Sequence, residues 1–332
     1  MRHAGLLLVT LCVGVALALW LRGYVTAPSS EDRIQKLKEQ ITEQEVESAK
    51  AVAEYAPASK VRIDDLASPV ADLLRQLPGV VQVEVAVAAK KPTARIVHLR
   101  DWHFVPKDLH AIDLKAAYGR DLTDDEIDRL HEEHLLEVEL VQVEQIALLR
   151  CLIKHHGLKR IFSEGFSPTE LEAYREKIAV LKSMENDQVP QVRKNLDEVR
   201  KLIDGSTGEK KEKAQAIETR LLVLLDEHKH RLLEMGAAGR LLISGELEDV
   251  LPLEDAVALE RAKPISPSGG VKLDPVKLEA RHDAQVKATM KEGPVAVIVL
   301  GGSHDLTESI QRFSGTCEYL RVTTRQFKEI AE

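Results

Sequence analysis

The chain has 332 residues, 44% hydrophobic and 30% charged, which supports one large or two ordinary folded domains and excludes a wholly disordered chain. Lys and Arg total 46 against 54 Asp and Glu, a net charge of −8, and aromatics are only 4%; this excludes a sequence-independent nucleic-acid binder and argues against a β-sandwich or a carbohydrate-stacking module. Three cysteines with no CxxC pair exclude a disulfide framework and a Cys-built zinc site.

The N-terminus opens with an uncharged run from Ala4 to Leu21, AGLLLVTLCVGVALALWL, bounded by Arg2 and Arg22. Such a run is just long enough to span a bilayer. Ala16-Leu17-Ala18 has the small-x-small pattern of a signal-peptidase site, but bulky Leu19 and Trp20 follow it, so an uncleaved single-pass anchor over residues 1–22 is the expectation. Long domains translocate regardless of the local basic count, and the C-terminal part is expected on the extracytoplasmic side. Residues 23–60 read as a charged helical stalk with linkers at Thr26–Ser30 and Ala56–Ser59; Ile34, Leu37 and Ile41 fall at a,d,a spacing, but the heptad does not persist.

Residues 61–332 form the globular part. A helix is expected near Ser68–Leu77, then a strand at Val81–Val87, whose alternation leaves one face wet. Ala94–Leu99 is a largely buried strand. Asp121–His156 reads as one long helix, N-capped by Thr123, with Ile127, Leu130, His134, Val138, Val141, Gln145, Leu148 and Leu152 along the buried stripe and Gly157 as its C-cap. Lys159–Ser163 is the next strand. Residues 168–236 are polar, helical and without strand signal, divided at Pro190 and Gly205, and read as a helical insertion that covers or gates a site. Ser266–Val271 is a loop, Asp274–Lys291 a helix, Val295–Leu300 a continuous apolar strand, Asp305–Phe313 a helix and Thr316–Val322 the last strand. Strands interleaved with helices predict an α/β fold, with a mainly parallel or mixed sheet covered by helices on both faces.

Three of these strands run directly into polar residues: Arg100-Asp101-Trp102-His103, Glu164-Gly165 and Gly301-Gly302-Ser303-His304. In open α/β sheets ligands bind outside the carboxyl ends of the strands, so Asp101, His103, Glu164 and His304 can converge there despite their separation along the chain. Two imidazoles and two carboxylates can hold a divalent metal or form an acid–base set without one, and can equally be strand-end caps. His131-Glu132-Glu133-His134 on the long helix falls one residue short of the zinc-binding HExxH spacing; a salt-bridged helix face is the simpler reading. Cys151 and Cys317 read as small buried hydrophobes.

On these residues the chain resembles the TraB/Tiki superfamily, which includes erythromycin-esterase-like and ChaN-like proteins. The superfamily pairs a G-x-x-H or G-E-x-H motif after an early strand with a Glu after a second strand, an Arg on a late helix and a second G-x-x-H. Gly301–His304 is similar to the last motif, Glu164 to the carboxylate and Arg281 in Ala280-Arg281-His282-Asp283 to the late-helix Arg. The first motif departs from the pattern: Arg100 replaces the Gly, Asp101 stands for the Glu, and His103 is kept. Gln145 is similar in place to a Gln of the ChaN-like helix, although the preceding histidines are absent. The resemblance covers about residues 94–320. It implies a membrane-anchored, peptidase- or esterase-like hydrolase that uses a divalent metal. His103 and His304 would be metal ligands or bases, Glu164 the general acid/base, Arg281 an oxyanion or carboxylate partner, and Asp101 a ligand or the group that orients His103. It equally accommodates a non-catalytic ligand-binding protein, and a tethered interaction protein working through the stalk and insertion is a further reading.

Overall fold

A computed structural model describes residues 31–57, 61–263 and 274–331. The apolar run 4–21 and the loop 266–271 lie outside the described residues, and among these no helix is long and apolar enough to cross a membrane.

In chain order the elements are α1 (Glu31–Glu54), α2 (Val70–Arg75), β1 (Val80–Val87), β2 (Ala94–Asp101), α3 (Lys107–Tyr118), α4 (Asp124–His156), β3 (Arg160–Ser163), α5 (Leu171–Ser183), α6 (Val189–Asp204), α7 (Gly208–Glu234), α8 (Gly236–Ile243), β4 (Asp249–Pro252), α9 (Ala256–Ala262), α10 (Pro275–Glu292), β5 (Val295–Gly301), α11 (Thr307–Phe313), β6 (Cys317–Thr324) and α12 (Arg325–Ala331). The six strands make one sheet in the order β1-β6-β2-β5-β3-β4. Only the β1–β6 pair is antiparallel; the remaining pairs are parallel, so the sheet is mixed. Both faces are covered. Val97 and Leu99 of β2 join α4, α5 and α8 in the larger core. Ile96, Ile298 and Leu300 join Val286 of α10 and Ile310 of α11 on the other side. The two-residue period of a strand sends alternate side chains to the two layers.

Helix α4 is the backbone of the larger layer. Thr123 caps it in a reciprocal capping box with Glu126, and Gly157 ends it at φ +73°, a left-handed conformation that glycine adopts without a Cβ penalty. The expected charged last turn is more specific than a solvated end. His156 is buried, 2.9 Å from the Tyr55 hydroxyl and 2.7 Å from the Val61 carbonyl. From β2, His98 bridges the Tyr319 hydroxyl of β6 (2.7 Å) and the Leu300 carbonyl of β5 (2.9 Å); burial lowers its pKa to about 3, so it is a neutral structural residue.

Two expectations are corrected. The stretch read as a stalk is not separate from the domain. Helix α1 lies along α4, and Ile34, Leu37 and Ile41 share a core cluster with Leu136, Leu140 and Val141 of α4 and Phe327 and Ile330 of α12. Arg33 ties it further, at 2.6 Å to Glu133 and 2.9 Å to Glu137. The same apolar stripe that suits a coiled coil suits a helix docking onto its own domain.

The helical insertion is likewise not a detached lid. Tyr174, Ile178 and Leu181 of α5 lie in the larger core. The outer part is the α6–α7 pair, which leaves Leu202, Ile217 and Leu222 exposed and is bridged by Arg200 and Glu218 at 2.9 Å. Replacing residues 201–217 with a short Gly/Ser linker is therefore expected to leave one cooperative urea transition with a nearly unchanged midpoint. A broadened or split transition would place the hairpin in the cooperative unit.

Candidate active site

Four neighbouring parallel strands, β2, β5, β3 and β4, deliver polar residues to one edge of the sheet. Strand β2 extends two residues further than its apolar run, through Arg100 and Asp101, which pair with Leu300 and Gly301 of β5. His103 follows. Glu164 follows β3, His304 follows β5, and Glu254 follows β4. Helix α10 supplies Arg281, His282 and Gln285, all buried.

Glu164 is the hub. Its Oε2 lies 2.7 Å from His103 Nε2 and accepts the Gly301 N–H at 2.9 Å. Its Oε1 lies 2.5 Å from Arg281 Nη2 and 3.3 Å from His304 Nε2. Asp101 Oδ2 holds the other nitrogen of His103 at 3.0 Å, and Gln145 Nε2 donates to Asp101 Oδ1 at 3.0 Å. On the far side of Arg281, Glu254 binds Nε at 3.0 Å and Nη2 at 2.5 Å, and Gln285 donates to Glu254 at 3.0 Å. His282 Nε2 lies 2.8 Å from His304 Nδ1. The structure thus brings together all five sequence-derived residues, Asp101, His103, Glu164, Arg281 and His304, and adds Glu254, His282 and Gln285.

Glycine is required where the strand ends. A Cβ at Gly301 would lie 2.4 Å from His103 Nε2 and 3.0 Å from His304 Cδ2, and one at Gly302 would lie 2.0 Å from the Phe327 ring. Arg100 stands where the resembled motif has a glycine. Its guanidinium stacks over Phe327 at 4.5 Å, and its Nε donates to the Gly302 carbonyl at 3.1 Å.

The electrostatics follow from burial and charge pairing. Burial opposes a charge on His103, yet Glu164 and Asp101 on its two nitrogens push its pKa up to about 10, so it is an imidazolium at neutral pH. Burial would raise Glu164, but His103, His304 and Arg281 hold it well below the usual carboxylate range. Arg281 is buried too, and Glu254 and Glu164 keep it firmly charged. His282 goes the other way: burial, then His304 and Arg281 beside it, lower it to about 3. The His103 Nε2–Glu164 contact is short but out of line with the ring N–H, so it is an ion pair without a linear hydrogen bond.

This donor set does not fit a divalent metal, which corrects the expected ligand role of His103 and His304. Both His103 nitrogens face carboxylates, His304 Nδ1 faces His282, and the Arg281 guanidinium already occupies the cation position at Glu164. Among the described residues no group of three or more His, Cys, Asp or Glu side chains could hold a metal ion.

The near-HExxH histidines gather elsewhere, with a third from α3. His131 and His110 approach Nδ1 to Nδ1 at 3.3 Å, and the His134 ring centroid lies 4.7 Å from that of His110. Burial lowers His110 to about 3 and His131 to about 4. Asp128 pairs with Lys107 and Glu137 with Arg33, so the flanking carboxylates serve ion pairs, as the salt-bridge reading expects. Cys151 and Cys317 are buried, with burial raising each thiol to about 11, which leaves them inert.

Glu254 was not legible as a site residue because β4 is a four-residue strand ending in Pro252, too short to carry a pattern of its own. No family model, curated protein or solved structure matches the chain.

Proposed function

We propose that the chain is an acid–base hydrolase of peptidase or esterase type, built on a TraB/Tiki-like frame and tethered to a membrane by residues 4–21. The observation that carries this reading is the buried line Asp101–His103–Glu164–Arg281–Glu254 at the carboxyl ends of parallel strands. Charges this deeply buried at a strand edge, with two imidazoles converging on one carboxylate, suit a reaction centre better than a set of caps.

The roles follow from the charges. His103 is held protonated, and its Nε2–H is not consumed by a linear bond to Glu164. It is the acid, donating to the leaving heteroatom, an ester oxygen or a peptide nitrogen, as its bond to the carbonyl carbon breaks. Glu164, fixed by Arg281 and the Gly301 N–H, orients the attacking water and receives its proton as the attack proceeds. That proton returns to His103, so the cycle closes. Asp101, itself held by Gln145, keeps the His103 ring in place. Arg281 is shared by two carboxylates, so it orients Glu164 and leaves the oxyanion to the imidazoles.

The test is hydrolysis of a panel of p-nitrophenyl esters and fluorogenic peptides by the full-length protein. Activity is expected to fall roughly 100- to 10,000-fold in His103→Asn and Glu164→Gln. Absence of wild-type hydrolysis across the panel, or equal rates in His103→Asn, would overturn the proposal. The tether has its own test. The full-length protein is expected to stay with membranes through an alkaline carbonate wash, with the folded domain open to protease from the extracytoplasmic side; release into the wash would remove the anchor.

A further inference from the structure

The docking of α1 creates a cleft that has no part in the chemistry proposed above. Between α1, α4, α7 and α8 lies a space of about 340 Å³, floored by the apolar Val143, Ile146 and Ala147 of α4. A second cleft of about 500 Å³ adjoins it, and Glu45, Glu185, Leu232 and Arg240 line both. No residue of the Glu164 cluster lines either one. A space of this size, with an apolar floor and a few polar groups, is the usual form of a small-ligand site.

The polar groups are charged, and they do not answer one another. Arg240 of α8 makes one long contact, Nη1 to Gln142 Oε1 at 3.5 Å, and forms no ion pair among the described residues. Burial works against its charge, while Glu139, Glu45 and Glu185 nearby support it. Glu139 is already taken by Lys229 at 2.6 Å, and Arg150, the other guanidinium on the first cleft, is gripped on both carboxylate oxygens of Glu246. That leaves Arg240, Glu45 and Glu185 facing one space. Neither of these carboxylates closes on the arginine. Glu185 sits in the π-helical link Met184–Gln188 between α5 and α6, where its Oε2 lies 2.6 Å from Nε2 of the buried His228. Glu45 is exposed on α1 and has no partner among the described residues. Gln142 anchors Arg240 in turn, because its own amide donates to the Leu233 carbonyl at 2.8 Å.

We propose that this cleft binds a small zwitterion with an apolar side chain, an α-amino acid or a dipeptide: its carboxylate pairs with Arg240, its ammonium faces Glu45 and Glu185, and its side chain lies on Val143, Ile146 and Ala147. The charge balance selects this class. A simple anion gains Arg240 but meets two carboxylates, and a simple cation gains the carboxylates but meets Arg240. A zwitterion satisfies both signs and leaves the net charge of the cleft unchanged. A guanidinium suits a carboxylate in particular, because it offers paired N–H donors in one plane, and Nε and Nη2 of Arg240 carry no hydrogen bond among the described residues. His228 and Gln142 hold two of the charged groups in place beforehand, so binding needs little further ordering. Binding here and hydrolysis at Glu164 use different residues and stand or fall separately.

The test is isothermal titration of the full-length protein in detergent micelles with L-leucine, L-phenylalanine and leucyl-leucine. Two blocked forms serve as controls: N-acetyl-leucine, which lacks the cation, and leucinamide, which lacks the anion. At least one of the zwitterions is expected to bind with a Kd of about 1 mM or tighter, and each blocked form roughly 10-fold more weakly than leucine. A preference for leucyl-leucine over leucine would assign the site to peptides, and the reverse to free amino acids. No saturable binding of any zwitterion, or equal affinity for leucine and its blocked forms, would overturn the proposal, and both are read on the wild type. Glu45→Gln, a change on the exposed side of α1, is expected to weaken leucine and strengthen N-acetyl-leucine; an unchanged ratio would remove the ammonium from its proposed place. In Arg240→Gln, leucine binding is expected to fall about 10-fold or more while the urea midpoint stays near that of wild type, because the arginine has no ion pair to lose. A sharply lower midpoint would show that Arg240 serves the fold, and undiminished binding would remove the carboxylate contact; either result overturns the proposal.

Discussion

Arg281→Met is expected to be among the most damaging single substitutions in the chain, costing about 3–5 kcal/mol of stability at pH 7. The reason is the company it keeps. Arg281 is almost wholly buried and neutralises Glu164 on one side and Glu254 on the other. Methionine fills much of the volume but leaves two buried carboxylates facing each other across it. An uncompensated buried charge is far costlier than a missing surface ion pair, which is worth at most about 1 kcal/mol. Urea unfolding should show the midpoint falling with the slope unchanged. The double substitution Arg281→Met with Glu254→Gln should recover part of the loss, because one of the stranded charges is then gone. A single-variant cost below about 1 kcal/mol would mean that the carboxylates are solvated, and the buried-network description would be wrong.

The second large effect is a pH dependence with a defined sign. His103 rises from its ordinary 6.5 to about 10 in the folded protein. A raised pKa contributes stability that is complete below the unfolded value, near 6.5, and is lost as pH climbs through 10. Glu164 is depressed, so its contribution is complete above its ordinary 4.5 and is lost as pH falls below that. Asp113, on the inward face of α3, must be accounted for. Burial raises its carboxyl to about 7, so its contribution is lost between its ordinary 3.8 and about 7. That loss is nearly complete by pH 7.5, and the buried thiols Cys151 and Cys317, raised from 9 to about 11, begin to cost stability only above about pH 8.5, so the fall from pH 7.5 to 8.5 reports His103. The expectation is that wild type loses about 1 kcal/mol across that interval while His103→Asn stays nearly flat. Parallel profiles for the two would sink the assignment of a protonated His103.

Much of the candidate site could be read before the fold was known, and the reason is local. A buried strand must be apolar, so a polar residue directly after one is conspicuous. Asp101, His103, Glu164 and His304 all stand at such positions, at or just beyond the ends of β2, β3 and β5. Arg281 had no such signal and came only through the family resemblance. Glu254, His282 and Gln285 carried neither. Glu254 follows a strand of four residues, and His282 and Gln285 sit on a mostly polar helix whose inward face is set by what it packs against. Their value lies in a partner 22 to 31 positions away along the chain, and no window of local sequence contains that relation.

The same division runs through the whole molecule. Periodicity and caps determined the elements themselves: the long α4 between Thr123 and Gly157, the edge strand β1, whose expected alternation is broken by register shifts against β6, and the apolar β5 that demands cover on both faces. These are properties of a chain segment and its backbone geometry, so a segment suffices to read them. Partners were decided only by the tertiary structure. Ile34, Leu37 and Ile41 specify an apolar stripe but not its mate, and the mate is α4 of the same domain. His103 and His304 specify donors but not their charge state. Two carboxylates set that for His103, and Arg281 lies where a metal would have to sit. Burial and pairing are relations between distant segments, and the free energy of a charged group depends on them far more than on its own sequence neighbours.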